Sequence, residues 1–451
     1  MKDKIYHDIK DKKILLLGFG KEGKSTYRFL RACDPKLEFG IADMKKIEDQ
    51  EVVQDQHVTL YCGENYLDAC YEYDLIIKGP GVIIKDYLTE DVKQKITCQT
   101  DLFLKFCPTK TIGITGTKGK STTSSLLYHM LKKLNQKVIL MGNIGIPCFD
   151  TLDEIDQDTI CVLELGCHQL EYMKHSPNIA AILNVYEEHL DHYLSMQHYI
   201  DVKKNIYRYQ NQDDYVLLAN SPYLKDQTGI RGKVLLEATS KEDNCFYITE
   251  ESLNIKVASH HMRFSKEKIH TTLKGEHNQY NILICLTIVH ILNLDINKAI
   301  TSISSFRGLP HRMEYIGTYH DILFYDDSIA TSIPSVICAV NTLKDVNTII
   351  VGGLDRGLDY QSLVDFLNSS TVENIILLPD TSYPIAALFK EKQTLKKIYM
   401  VTSMEEAISI SKEKTQKNKI CLLSPAAASY NQYQNFEERG DHFRSLVEKE
   451  S

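Results

Sequence analysis

Residues 111–134 read TIGITGTKGKSTTSSLLYHMLKKL, and the reading of this stretch decides the fold. An apolar, β-rich run ends at Gly116, and Gly119-Lys120-Ser121 then opens a segment with helical periodicity. Strand, glycine loop and helix in that order make a phosphate cradle. The glycines expose amide donors, Lys120 brings a point charge to β and γ phosphates, and the Ser121 hydroxyl is a ligand for Mg²⁺. Gly116, Thr117, Lys118, Gly119 and Thr122 complete the loop. One departure from the common phosphate-loop spacing is visible: the position five before Gly119 is Ile114, not glycine.

Working outward, the same kind of run recurs along the chain: KKILLLGFG, DLIIKGPGV, KVILMGN, TICVLELG, IAAILNV, NTIIVGG, ENIILLPD and KICLLSPA. Short continuous apolar runs closed by Gly, Pro or Asn predict buried parallel strands. The segments between them are long enough for crossover helices, so the class is α/β with doubly wound sheets. Three blocks are expected, at 1–107, 108–306 and 307–451. The polar, alternating stretch from about 221 to 272 reads as a β-rich excursion inside the middle block.

A chain of 451 residues exceeds one ordinary core, which agrees with several domains. Its 43% hydrophobic and 25% charged residues are those of a soluble globular protein. The net charge of -8 comes with no basic tract, which argues against a nucleic-acid partner. The amino terminus is charged throughout and the first apolar run is only a strand long, so no signal peptide or membrane anchor is expected. Twelve scattered cysteines without a CxxC pair read as reduced thiols of a cytoplasmic protein.

A first glycine loop, LLLGFGKEG at 15–23, carries less information. It suits a diphosphate at a helix N-terminus, and Asp43 after the next apparent strand stands where a ribose-binding carboxylate would. A nicotinamide enzyme, another diphosphate ligand and a plain tight turn all fit it. Further on, SMQHYIDVKKNIYRY has Met196, Tyr199, Ile200, Ile206 and Tyr207 on one apolar stripe, with Lys203 in its middle. Either this lysine snorkels to solvent or it is buried with a tuned amine near a metal. His189, on the loop before that helix, is a candidate imidazole ligand or a structural histidine.

Taken together, GTKGKST, GNIG, LELGCHQLE, EEHLDHY, KKNIY, GEHNQYN, GLPHRME, DDSIAT, GGLDRG and SPAAASYNQYQNFEERG resemble the motifs of the Mur ligases, nearest their glutamate-adding branch. The resemblance runs nearly the whole chain. It implies three domains: a Rossmann-like UDP-binding domain, a central P-loop-type ATP-binding domain and a C-terminal Rossmann-like domain. It implies ATP-dependent ligation of glutamate to UDP-N-acetylmuramoyl-L-alanine through an acyl phosphate, by a monomer. Lys120 and its loop would hold ATP. Two Mg²⁺ ions would be held by Ser121 and Glu164, and by His189 and a carbamylated Lys203. Asn278 and Asn281 would lie on the adenine side, with Arg312 and Asp327 as further nucleotide contacts. Gly18, Phe19, Gly20, Asp43 and the loop ending at Gly81 would bind UDP, and Asn143 would lie near phosphate and substrate. Thr331, Arg356, Ser429 and Phe436 would receive glutamate.

The pattern also departs from its relatives. Cys167 and His168 stand in a serine-phenylalanine position that faces substrate, Lys118 replaces asparagine, Arg356 replaces lysine, and Ile329 stands where a lysine is usual near glutamate. D-glutamate, the commoner activity, is expected, with L-glutamate the alternative. A folylpolyglutamate synthase would share the ATP loop but need no first block. A nicotinamide oxidoreductase leaves GTKGKST idle. A non-catalytic UDP-sugar-binding protein would be expected to have lost Lys120, Glu164, His189 or Lys203, and the sequence keeps all four.

Overall fold

All nine runs quoted above form strands, and each lies in a parallel ladder. The computed structural model describes residues 1–84, 87–188, 192–193, 195–238, 244–257, 260–273 and 275–449. The first sheet holds β1 (Ile14–Leu17), β2 (Phe39–Asp43), β3 (Val58–Cys62), β4 (Leu75–Lys78) and β5 (Ile96–Thr97), in the order β3-β2-β1-β4-β5. Strand order reverses between β1 and β4. The loops leaving those two strands carry Gly18 and Gly79, so both glycine turns open on the crevice where α/β sheets bind ligands.

The second sheet holds β6 (Thr111–Thr115), β7 (Val138–Gly142), β8 (Ile160–Glu164), β9 (Ile179–Ile182), β10 (Tyr215–Leu218), β11 (Lys233–Glu237), β12 (Cys245–Ile248), β13 (Ser252–Val257) and β14 (His260–Ser265). Its order is β14-β13-β12-β11-β10-β9-β6-β8-β7. The predicted β-rich excursion therefore extends this sheet, parallel as far as β12 and then antiparallel through β13 and β14. Strands β6, β8 and β9 are buried at every residue, which explains why they read as continuous apolar runs and not as alternation. Helix Glu276–Ile291 has ten buried residues and packs Cys285 against the phosphate-loop helix Lys120–Lys133.

The third sheet holds β15 (Glu314–Tyr319), β16 (Ile322–Asp326), β17 (Val346–Gly353), β18 (Asn374–Asp380), β19 (Lys397–Met400) and β20 (Ile420–Leu423), ordered β15-β16-β20-β17-β18-β19. The β15–β16 hairpin turns on His320 and Asp321, both with positive φ, as a two-residue turn that keeps the strand twist requires. By packing, the chain divides into two compact units. One comprises Met1–His270 with His277–Ile303 and so holds the first two sheets; the other comprises Thr271–Glu276 with Ser304–Ser451. Thr271–Glu276, read from sequence as part of the middle block, thus belongs to the second unit. Within the described residues no helix is long and apolar enough to cross a membrane.

Candidate active site

The strand ends of the second sheet bring the phosphate loop together. Gly119 caps helix Lys120–Lys133 with φ +86°, and a Cβ there would stand 3.0 Å from Asn281 Oδ1. Asn281 Nδ2 in turn donates to Asn278 Oδ1 at 3.1 Å, so this pair lies against the loop. Lys120 Nζ donates to the Gly116 and Thr117 carbonyls at 2.9 and 3.0 Å. Ser121 and Thr122 follow in the first helical turn, where backbone amides have no partner within the helix. Sequence reasoning missed the residue that shapes the loop. Asn184, just past β9, receives the Lys118 amide at 2.8 Å on Oδ1 and donates Nδ2 to the Lys118 carbonyl at 3.0 Å, while its own carbonyl takes the Thr117 amide.

Half-buried Lys120 and two buried groups, Lys203 and Glu164, share the electrostatics of this loop. Glu164 ends β8 and is 0% exposed; Asn143, just past β7, donates Nδ2 to its Oε1 at 2.7 Å. Glu164 Oε2 is buried with no hydrogen-bond partner. An ionised carboxylate is seldom left this way without a cation to face, and Lys120 is a charged neighbour. Lys203 is 1% exposed on helix Met196–Arg208, with Nζ 4.6 Å from the centroid of the Tyr199 ring. The snorkelling alternative is therefore wrong, because the apolar stripe packs into the core and carries the amine with it. Burial pulls the Lys203 ammonium down to about 8, and the charge of Lys120 adds to the effect, against Cys167 and Glu188. Burial also lowers Lys120, opposed by Glu164. Cys167 is buried within reach of both lysines, whereas His168 is half-buried and meets the Tyr193 hydroxyl through Nδ1 at 3.3 Å. His189 lies outside the described residues.

Around the β1/β4 crevice, Gly18 takes φ +92° with Val82 so close that a Cβ would stand 2.6 Å from its methyl group. Gly79 donates to the Leu17 carbonyl at 2.8 Å, so the two glycine loops touch, with Gly81 exposed beyond. Gly20 precedes helix Lys21–Cys33. Asp43 serves its own loop: Oδ2 accepts the Phe19 amide at 2.7 Å and Oδ1 the Lys45 amide at 2.8 Å. It holds the loop shut at Phe19, and both oxygens are engaged. Gln169 Nε2 reaches from the LELGCHQLE segment to Glu22 Oε1 at 2.6 Å, and Lys78 pairs with Glu171 at 3.7 Å, two links between the sheets that local pattern did not reveal.

In the second unit the loops leaving β16, β20 and β17 converge. Asp327 accepts from Ser424 Oγ at 2.8 Å and from the Met313 amide at 3.1 Å; burial pushes its carboxyl up to about 7 while the neighbouring Arg312 opposes this. Arg439, 1% exposed on the last helix, donates Nε to Ser328 Oγ at 3.0 Å and Nη2 to the Ser328 and Ala427 carbonyls at 2.9 and 3.1 Å. Ser328 Oγ donates to the Phe436 carbonyl at 2.8 Å. Ala330 accepts from the Ala426 amide at 2.9 Å and Ala428 from the Leu354 amide at 2.8 Å. These bonds bring the segments bearing Thr331, Ser429 and Phe436 together, with Arg356 exposed on the β17 loop and its guanidinium 5.9 Å from the Tyr430 ring. His311, with φ +59°, bonds Asp326 Oδ2 through Nδ1 at 2.7 Å, and that pair fixes the chain on either side of Arg312 and Asp327. Neither Arg439 nor the His311–Asp326 pair was singled out from sequence.

Three mostly parallel sheets, a glycine loop at the end of β6 and charged groups on the neighbouring strand ends define a nucleotide-dependent α/β protein, and comparison with known proteins gives it a family. Residues 114–289 match the Mur ligase middle domain, and residues 311–427 match the Mur ligase glutamate ligase domain. The chain belongs to the Mur ligase family. It is 33% identical, over 97% of both chains, to the UDP-N-acetylmuramoylalanine–D-glutamate ligase of Clostridium botulinum, and 30% identical over the same shares to the protein of that name from Clostridium tetani. Among solved structures, MurF from Acinetobacter baumannii aligns with a TM-score of 0.63 at 15% identity, over 99% of this chain and 98% of that one. A UDP-N-acetylmuramate–alanine ligase from Thermotoga maritima aligns at 0.57 and 17%, over 98% and 100%. The fold is thus the three-domain α/β architecture of the Mur ligases.

Proposed function

We propose that this chain joins D-glutamate to the alanyl carboxylate of UDP-N-acetylmuramoyl-L-alanine at the expense of ATP, a step of peptidoglycan precursor synthesis. The observation that carries the reading is Glu164 Oε2, a buried carboxylate oxygen without a partner, on the strand next to the one that leads into the phosphate loop and with Lys120 as its charged neighbour. The names of the clostridial relatives support the substrate and the D configuration.

ATP would lie along residues 116–122, with Asn278 and Asn281 on its adenine side. Lys120, now bonded to its own loop carbonyls, turns its ammonium to the β and γ phosphates. Ser121 and Glu164 would hold one Mg²⁺ ion, and His189 with a carbamylated Lys203 a second. When bound, these ions neutralise charge on the transferring phosphoryl group. A lysine at about 8 is neutral in roughly a tenth of molecules at pH 7, a few hundred times more than an ordinary one. The neutral nitrogen attacks CO₂, an N–C bond forms and a proton leaves, so a cation becomes an anionic oxygen ligand. The substrate carboxylate takes the γ-phosphoryl group and ADP leaves; the glutamate amine then attacks the acyl phosphate, the C–N bond forms, and inorganic phosphate and the amine's proton leave. Asn143 lies near the phosphate and substrate.

Gly18, Phe19, Gly20 and Gly81 take the UDP moiety, with Asp43 acting through the loop it holds. Thr331, Arg356, Ser429 and Phe436 take glutamate, Arg356 by bidentate pairing with a carboxylate. The functional division is 1–107, 108–306 and 307–451, in a cytoplasmic monomer. The test is phosphate release from ATP and Mg²⁺ with UDP-N-acetylmuramoyl-L-alanine and either enantiomer of glutamate. Turnover with D-glutamate alone is expected. Turnover confined to L-glutamate, or silence with both, overturns the assignment.

A further inference from the structure

Where the first and second sheets meet, a buried ion pair stands that the ligase chemistry described above does not use. Lys78 closes β4 immediately before the Gly79-Pro80-Gly81 loop, and its side chain is 2% exposed. Its Nζ lies 3.7 Å from Glu171 Oε2, 5.7 Å from the centroid of the Tyr172 ring and 3.5 Å from the Gly79 carbonyl. Glu171 ends the LELGCHQLE segment, and the same Oε2 meets His192 Nε2 at 3.4 Å. The His192 ring is 4.5 Å from that of Tyr193, which is 5.4 Å from that of Tyr199, beside Lys203. A path of buried groups thus runs from the base of the Gly79 loop to the helix that bears Lys203.

This pair is not what docks the sheets. Asp101 Oδ1 accepts the Lys174 and His175 amides at 2.7 and 2.8 Å, and Gln169 Nε2 donates to Glu22 Oε1 at 2.6 Å. Those shorter bonds already join helices Gln99–Phe106 and Lys21–Cys33 to the segment after β8. A buried ion pair at 3.7 Å adds little to stability, because removing both charges from water opposes their attraction. Burial accordingly lowers the Lys78 ammonium, and Glu171 opposes this. What the pair supplies is position, since a shift of the loop would leave two buried charges uncompensated. Gly79 donates to the Leu17 carbonyl, so holding Lys78 holds both glycine loops.

We propose that Lys78 is a positioning residue for the UDP-linked substrate: its pairing with Glu171 sets the span between the glycine loops of the first sheet and the strand ends of the second. The pair thereby favours a ligand that reaches both. On the function proposed above, the diphosphate lies at the first sheet and the reacting carboxylate at the second, and this inference rests on that reading. The ammonium faces Glu171, so Lys78 acts through the loop it anchors. A displacement of about 1 Å at that loop leaves UDP bound as before and carries the far end of the substrate away from the phosphoryl group.

The test uses the full chain and two ligands, UDP and UDP-N-acetylmuramoyl-L-alanine, titrated calorimetrically into the parent, Lys78→Met, Glu171→Gln and the double variant. Thermal unfolding confirms that each variant is folded. Lys78→Met should bind UDP as the parent does and bind the longer ligand about tenfold more weakly. Its kcat/KM for that ligand should fall by at least as much while the KM for ATP holds. Glu171→Gln, which keeps the shape of its side chain, should show the same split. The double variant should be no worse than Lys78→Met, because both changes remove one interaction. Equal weakening of both ligands, weakening of neither, a raised KM for ATP, or losses that add in the double variant would each overturn the inference while a parent that turns over keeps the proposed function. A parent that binds neither nucleotide would overturn that function, and this inference with it.

Discussion

Replacing Lys203 by Met should make the protein more stable and abolish its activity at once. The lysine is 1% exposed and its ammonium is pulled to about 8. Against about 10.4 in an unfolded chain, a shift of that size corresponds to about 3 kcal/mol of penalty on the folded state at pH 7. The sign follows from proton binding. Below about pH 8 both states are protonated and the folded state carries the whole penalty. Between there and about 10.4 the unfolded chain binds more protons, so stability rises with pH, and above that the penalty is gone. Methionine has similar length and no charge. It forfeits the contact with the Tyr199 ring, worth about 1 kcal/mol, which leaves a net gain of about 2 kcal/mol at pH 7. At pH 10.5 the difference should vanish or reverse. Urea unfolding followed by far-ultraviolet circular dichroism suits a chain with no tryptophan, and bicarbonate-free buffer keeps the amine unmodified. Turnover should fall at least about a hundredfold, because the ligand proposed for a catalytic ion is lost. A variant less stable than the parent at pH 7, or one that keeps near-parental turnover, would refute the reasoning.

Glu164→Gln should keep the bond from Asn143 and the fold, yet lose more than about a hundredfold in kcat and need more Mg²⁺; a Mg²⁺ titration of phosphate release reads both. Gly119→Ala places a side chain at φ +86° and 3.0 Å from Asn281 Oδ1, so it should cost about 1–2 kcal/mol in stability and raise the KM for ATP; an unchanged KM would contradict the role of the loop. Asp327→Asn should stabilise the second unit by about 4 kcal/mol at pH 8 and by nothing near pH 4. The Asp327 carboxyl, pushed up to about 7, favours the folded state fully below about pH 4 and loses that advantage as pH rises through 7. Thermal unfolding across that range checks it, and a pH-independent difference would count against the burial argument.

Legibility followed the range of the interactions. Strands β1, β4, β6 to β9, β17, β18 and β20 are buried in parallel ladders, so their apolar runs announced them. β15 and β19, by contrast, keep partly exposed residues at sheet edges and left little trace. Lys203 was visible through its helical spacing, but only packing decides whether a lysine on an apolar stripe escapes to solvent. Asn184 holds a loop 66 residues away in sequence, and Arg439 reaches back 111 residues to Ser328; no local window contains either pair. Asp43 shows the converse. Its position suggested a ribose ligand, and its two amide bonds show that a carboxylate at a strand end also serves the loop.

The departures from the family pattern fall into two kinds once the loops are in view. At Lys118 the conformation depends on main-chain atoms, because Asn184 binds both its amide and its carbonyl, while the side chain leaves for Glu188 at 2.6 Å. Any residue that tolerates that backbone will serve, so lysine for asparagine leaves the phosphate loop intact. Ile329 is different. Its amide is held by the His311 carbonyl at 3.1 Å and Ala330 behind it is locked to Ala426, so position 329 is placed firmly and only its side chain is free to vary. With no ammonium there, and with glutamate at these loops as proposed, Arg356 would carry more of the charge available to its carboxylate. Its exposed guanidinium, 5.9 Å from the Tyr430 ring, has the freedom to aim it. Arg356→Ala should therefore raise the KM for glutamate by more than about tenfold while the KM for ATP holds, as loss of a charge-assisted bidentate pair would. Restoring a lysine at 329 in that variant should recover part of the loss. An R356A enzyme with an unaltered KM for glutamate would mean that the carboxylate is received elsewhere.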